Sequence, residues 1–119
     1  MNNTGTKLTL DGASGKQYIF DLFSFDDFDE LKEAFRALPA VYVFTRRSRA
    51  VDGFTHDLVY LGETEDLSSR FNAHHKEQCI TAHRANCIGL YGVSENEDLK
   101  EIEADILSTY DFPCNEQLN

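Results

Sequence analysis

The sequence predicts an α+β (mixed α/β) fold: a small, mainly antiparallel central sheet flanked by helices. Three observations predict it. A chain of 119 residues suits one core. Five short stretches are rich in β-branched and aromatic residues. Three other stretches carry apolar residues at helical spacing, giving the order ββα followed by ββαβα.

Taken in order, residues 7–10 and 16–22 read as strands. The turn between them contains Gly12 and Gly15, so the pair forms an N-terminal hairpin. Residues 24–38 are expected to be a helix, with Phe28, Leu31, Phe35 and Leu38 on one side and Pro39 as its stop. Residues 41–44 and 57–61 are strands, joined by a long polar loop over 46–56. Gly62 breaks the pattern, and Thr64 caps a helix over about 65–76. Residues 87–93 form the last strand. Asn96 caps a last helix over about 97–110, and Pro113 follows it. We expect one domain over 1–119, divided into an N-terminal extension (1–38, hairpin plus helix) and a core (39–118).

The net charge is -10, which disfavours sequence-independent binding to phosphate backbones. The charge is uneven, however. Residues 41–90 hold six Lys/Arg, six Asp/Glu and all four histidines, whereas residues 91–119 hold one Lys/Arg and eight Asp/Glu. A nucleic-acid surface is therefore expected around Arg46, Arg47 and Arg49, with Lys76. Three cysteines (Cys79, Cys87, Cys114) argue against a disulfide framework and for a reducing compartment. No apolar run approaches the roughly 20 residues of a membrane span, and the N-terminus lacks an apolar signal segment. The expectation is a soluble, cytoplasmic protein with no membrane partner. Its oligomeric state is not encoded legibly.

Four groups of residues carry potential chemistry. On the last helix, Leu99, Ile102, Ile106, Leu107 and Tyr110 share one face, and Glu103 falls in its middle. A buried carboxylate there calls for a metal ion or an arginine, unless its head reaches water at the edge of the stripe. Arg70 and His74 are four residues apart, so on one helix they project together. The arginine fork suits phosphate, and the histidine titrates near neutrality; alternatively, both are ordinary surface residues. Tyr42 and Tyr60 lie on adjacent strands, where phenols usually serve packing. His75, Cys79, His83 and Cys87 recur every four residues and offer zinc-ligand types, although not at a usual zinc-finger spacing.

Together these positions resemble the GIY-YIG endonuclease superfamily. Ala40-Val-Tyr42 and Tyr60-Leu-Gly62 resemble the two tripeptides that name it. Arg70 follows Tyr60 by ten residues, and His74 stands where the family has His or Tyr. Glu103 lies on the later helix, where the family places its metal-binding glutamate. Asn115 resembles the asparagine that closes the motif. Ala40 replaces the first glycine, which is tolerated if φ is negative there. Residues 1–38 lie outside the resemblance.

The resemblance implies hydrolysis of a nucleic-acid phosphodiester with one Mg²⁺ (or Mn²⁺) held by Glu103. Arg70 would neutralise charge on the phosphate. Tyr42 would deprotonate or orient the attacking water, with His74 as the competing base. Tyr60 would hydrogen-bond within the site, and Asn115 would hold the last segment against it. DNA is expected over RNA, and a lone acidic domain favours single-stranded or structured DNA over long duplex. Phe44, Phe54 and Phe71 offer stacking surfaces, but core packing is expected of all three. The alternative is a catalytically silent module of the same fold, acting through a nucleic-acid or protein partner.

Overall fold

The computed structural model describes residues 1–116. Residues 117 and 118 of the expected core thus lie outside the described residues. Five strands form one antiparallel sheet: β1 (Asn2–Asp11), β2 (Gln17–Ser24), β3 (Ala40–Ala50), β4 (Gly53–Thr64) and β5 (Cys87–Gly92). Their spatial order is β1-β2-β5-β3-β4. The last strand in sequence is therefore central, pairing Leu22 with Gly89 on one side and Val43 with Gly89 on the other. Through β5 the N-terminal hairpin becomes part of the same sheet as the core. Gly89 is required there, since an added Cβ would lie 2.8 Å from Val43 Cγ1.

Successive side chains on a strand point to opposite faces, and β3 supplies both cores. Tyr42 and Phe44 pack with Phe28, Leu31, Leu67, Phe71 and Ile80 on one face. Val41 and Val43 pack with Phe20, Leu61, Ile102, Ile106 and Phe112 on the other. The second face is covered by α3 (Leu99–Leu107), capped by Asp98, whose carboxylate accepts from the Lys100 and Glu101 N–H groups. The cap is thus Asp98 and not Asn96, and the helix is shorter than 97–110.

Three further expectations are corrected. The 24–38 helix is a 3-10 helix over Phe28–Glu33 alone, capped by Asp27. Phe25, Phe28 and Leu31 are buried at spacing three, which a 3-10 turn eclipses on one side. The loop over 46–56 does not exist. β3 and β4 run on as a ribbon closed by a two-residue turn, with Ala50 opposite Gly53 and φ +136° at Gly53. The 65–76 helix is divided into α1 (Leu67–Arg70), capped by Asp66 rather than Thr64, and α2 (Glu77–Ala82), with Ala73 at φ 61° between them. After Pro113 the chain makes one more turn, α4 (Pro113–Glu116).

The cysteine expectation is also overturned: Cys79 of α2 and Cys114 of α4 form a disulfide, and Cys87 is the free, buried one. The odd cysteine count hid the pair, because the third thiol is simply packed in β5. Among the described residues, no helix is long and apolar enough to cross a membrane.

Candidate functional site

Tyr42 is the centre of the polar cluster. It is fully buried in β3, directly opposite Gly62 of β4. Gly62 does not break the strand, as its type suggested. It leaves the space that the Tyr42 ring fills, since a Cβ there would lie 2.5 Å from the phenol oxygen and 2.9 Å from Tyr60. Ala40 has no positive φ, so alanine fits where the family motif has glycine.

Arg70 and His74 do meet, but not as neighbours on one helix. Arg70 ends α1, and His74 lies beyond it in the connection to α2. Their meeting point is the Tyr42 hydroxyl. Arg70 Nε donates to it at 3.1 Å, and His74 Nε2 lies 2.7 Å from it. The Lys76 backbone N–H donates to His74 Nδ1 at 3.0 Å, so Nδ1 carries no proton. The ring proton is therefore on Nε2, and the imidazole donates to Tyr42. Two donors thus converge on one phenol oxygen.

His74 is 5% exposed and packed among Phe28, Phe44, Tyr60 and Phe71. Burial, with Arg70 and His75 nearby, pulls its pKa down to about 3, so the ring is neutral at pH 7. Burial pushes the Tyr42 phenol well above its ordinary range, against the pull of Arg70. Tyr60 is raised by burial and by Glu103, again against Arg70.

Glu103 comes from α3 on the opposite sheet face, yet it acts electrostatically on Tyr60. It is half-buried. Among the described residues no donor pairs with it, and its oxygens reach solvent. Burial raises its pKa, and a second carboxylate, Glu63 of β4, adds to the rise, against Lys100 and Arg70. Glu63 likewise has no hydrogen-bond or ion-pair partner among the described residues. It escaped the sequence reading, although it directly follows the Tyr60-Leu-Gly62 tripeptide. An open cleft lined by Glu63, Thr64, Glu65, Arg70 and Lys100 lies beside it. Two carboxylates lacking protein donors, next to solvent, have the oxygen chemistry a hard divalent cation takes.

Asn115 does not point into this cluster. Its amide grips the β4 backbone, accepting from Leu61 N and donating to Leu61 O, both at 2.8 Å. The clamp falls between Tyr60 and Gly62, so α4 holds the second tripeptide from outside.

The basic residues lie apart from the cluster. Arg46, Arg47 and Arg49 are on the β3 ribbon, roughly 13–23 Å along the strand from Tyr42 at about 3.3 Å per residue. The Arg47 guanidinium sits 4.4 Å over the Phe54 ring, and that of Arg49 sits 5.7 Å from it. Phe54 is 49% exposed and so is not core, whereas Phe44 and Phe71 are fully buried. Lys76 is in the turn before α2, where its backbone positions His74.

The zinc spacing read from the sequence is not assembled as expected. Cys87 is buried in β5, and the fold brings Cys114 to Cys79 and His83 instead. Asp105 was not singled out either. It fastens the β1–β2 turn to α3, accepting from Ser14 N, Ser14 Oγ and Tyr18 Oη at 2.6–2.8 Å. No protein family, curated protein or solved structure matches the chain.

Proposed function

We propose that the chain is a divalent-metal-dependent endonuclease acting on nucleic acid, with DNA as its substrate. The observation that carries this reading is the convergence of Arg70, His74 and Tyr60 on Tyr42, with Glu103 and Glu63 beside them. They come from β3, β4, α1, the α1–α2 connection and α3, and all but Glu63 coincide with positions of the resembled motif.

Glu103, with Glu63 as a second oxygen donor, would hold Mg²⁺ or Mn²⁺. When bound, the ion supplies positive charge at the scissile phosphate. Arg70 makes no ion pair with any described residue; it hydrogen-bonds the Tyr42 hydroxyl through Nε and the Tyr60 hydroxyl as well, which orients the guanidinium to present its remaining N–H donors to a phosphate. Tyr42 and His74 are both buried beneath it, which makes them positioning residues for Arg70 rather than groups that touch the attacking water. The ribbon carrying Arg47, Arg49 and Phe54 adds charge and an exposed ring for an unpaired strand.

Incubation with single- and double-stranded DNA and RNA, with and without Mg²⁺ or Mn²⁺, tests this. Metal-dependent cleavage that Glu103→Ala and Arg70→Ala abolish is expected. Cleavage undiminished in Glu103→Ala sinks it. The complete burial of Tyr42 favours one other reading, a silent module of the same fold. Nucleic-acid binding without turnover in every metal would establish that alternative.

A further inference from the structure

On the side of the molecule held by α2 and α4, three ligand atoms of zinc-binding type converge. Cys79 Sγ, Cys114 Sγ and His83 Nδ1 all lie within 4.8 Å of one another. They come from α2, α4 and the residue capping the end of α2. His83 Nδ1 is 3.7 Å from Cys79 Sγ and 3.6 Å from Cys114 Sγ. With Zn–S of about 2.3 Å and Zn–N of about 2.0–2.1 Å, a tetrahedral site requires S···N edges of about 3.6 Å. Both imidazole–sulfur edges therefore already have the length a bound ion requires. The third edge, between the sulfurs, needs about 3.8 Å, which the disulfide forbids and its reduction permits. The Cα atoms, 5.8 Å apart, need not move for two thiolates to face a common ion.

We infer that Cys79, His83 and Cys114 form a second metal site, for zinc or a similarly soft divalent ion, that exists only when the two cysteines are reduced. His83 is exposed, so the fourth corner faces solvent and takes water. Disulfide and ion are alternative links between the same two elements. Reduction by a phosphine and water converts the disulfide to two thiols and the phosphine to its oxide. Binding then replaces the two thiol protons with the ion and releases them to solvent. In the disulfide form, His83 Nδ1 lies 3.0 Å from the Cys79 carbonyl oxygen and donates to it. On binding, that proton moves to the solvent-facing Nε2, leaving Nδ1 as the ligand. The link matters to the rest of the molecule because Asn115, adjacent to Cys114, clamps Leu61.

The test uses the full chain, reduced with a phosphine under anaerobic conditions and titrated with Co²⁺, whose thiolate charge-transfer absorption reports sulfur ligation. One equivalent is expected to bind with that absorption, and Zn²⁺ should displace it. The same protein left oxidised should show none. His83→Ala should lower the Co²⁺ affinity by at least about ten-fold, and Cys114→Ser should remove much of the thiolate band, each with an unchanged far-ultraviolet circular dichroism spectrum. Cys87→Ser, outside the cluster, should leave binding intact. A reduced, folded wild type without a thiolate–cobalt band overturns the inference. So does a disulfide that resists reduction while the protein is folded, or a band unchanged in Cys114→Ser. None of these readouts depends on cleavage of nucleic acid.

Discussion

Gly62 and Tyr42 face each other across the β3–β4 ladder so closely that a single methyl group on Gly62 would lie 2.5 Å from the Tyr42 hydroxyl oxygen. The glycine of the second tripeptide is thereby tied to the tyrosine of the first by steric exclusion. Gly62→Ala is expected to displace the phenol from Arg70 and His74. Overpacking of this kind costs about 1–3 kcal/mol. Thermal unfolding checks the loss, and an unchanged melting temperature would show that the ring has room to move.

Tyr42→Phe is expected to leave Arg70 Nε and the buried His74 Nε2 without their common acceptor. An unsatisfied buried donor costs about 1–3 kcal/mol. Denaturant unfolding should register this. If the proposed function holds, cleavage should fall as well, because the guanidinium loses the group that orients it.

The neutral His74 makes stability depend on pH. Its folded pKa of about 3 lies below the ordinary 6.5, so between those values the unfolded chain binds the extra proton. Stability is full above about pH 6.5 and falls progressively as the pH drops towards 3. His56 and His75 are lowered as well, chiefly by burial, and act in the same direction. His74→Gln should flatten the curve over this range relative to wild type. In a proton NMR titration the His74 ring should not shift between pH 7 and 4; a midpoint near 6 would refute the buried neutral tautomer.

Glu103→Gln separates stability from activity. The Glu103 carboxyl has no described donor and a pKa raised by burial and Glu63, so its charge opposes folding at neutral pH. Without metal, the glutamine variant is expected to melt at the same temperature as wild type or slightly higher. Mn²⁺ should raise the melting temperature of wild type and not of the variant. Cleavage should be lost. A variant that is destabilised without metal would mean that Glu103 serves the fold.

Arg47→Ala and Arg49→Ala should weaken nucleic-acid binding and reduce the salt dependence by about one phosphate contact each, without moving the melting temperature. Phe54→Ala should weaken binding to single strands more than to duplex. Fluorescence anisotropy across a salt series measures both. Equal affinity of the triple variant and wild type would remove the ribbon from the binding surface.

Much of this architecture was legible from residue pattern alone, for a local reason. Five strand-forming stretches, the last helix and the Gly-containing turn of the first hairpin follow from side-chain periodicity and backbone preference, which neighbouring residues set. The six motif positions could likewise be read in order. Pattern failed where two periods compete or where a distant partner decides. Phe25, Phe28 and Leu31 suit a 3-10 turn as well as a helix, and packing against Phe44 and Phe71 selected the turn. The 46–56 stretch has the polar composition of a loop, yet Arg47 stacks on Phe54 across the β3–β4 ribbon. Three things came only from tertiary closure: the central place of β5, the joining of Cys79 to Cys114, and the approach of Glu103 of α3 to Glu63 of β4. Each depends on residues far apart in the chain, whose proximity is fixed by the burial of the whole sheet and not by any local preference.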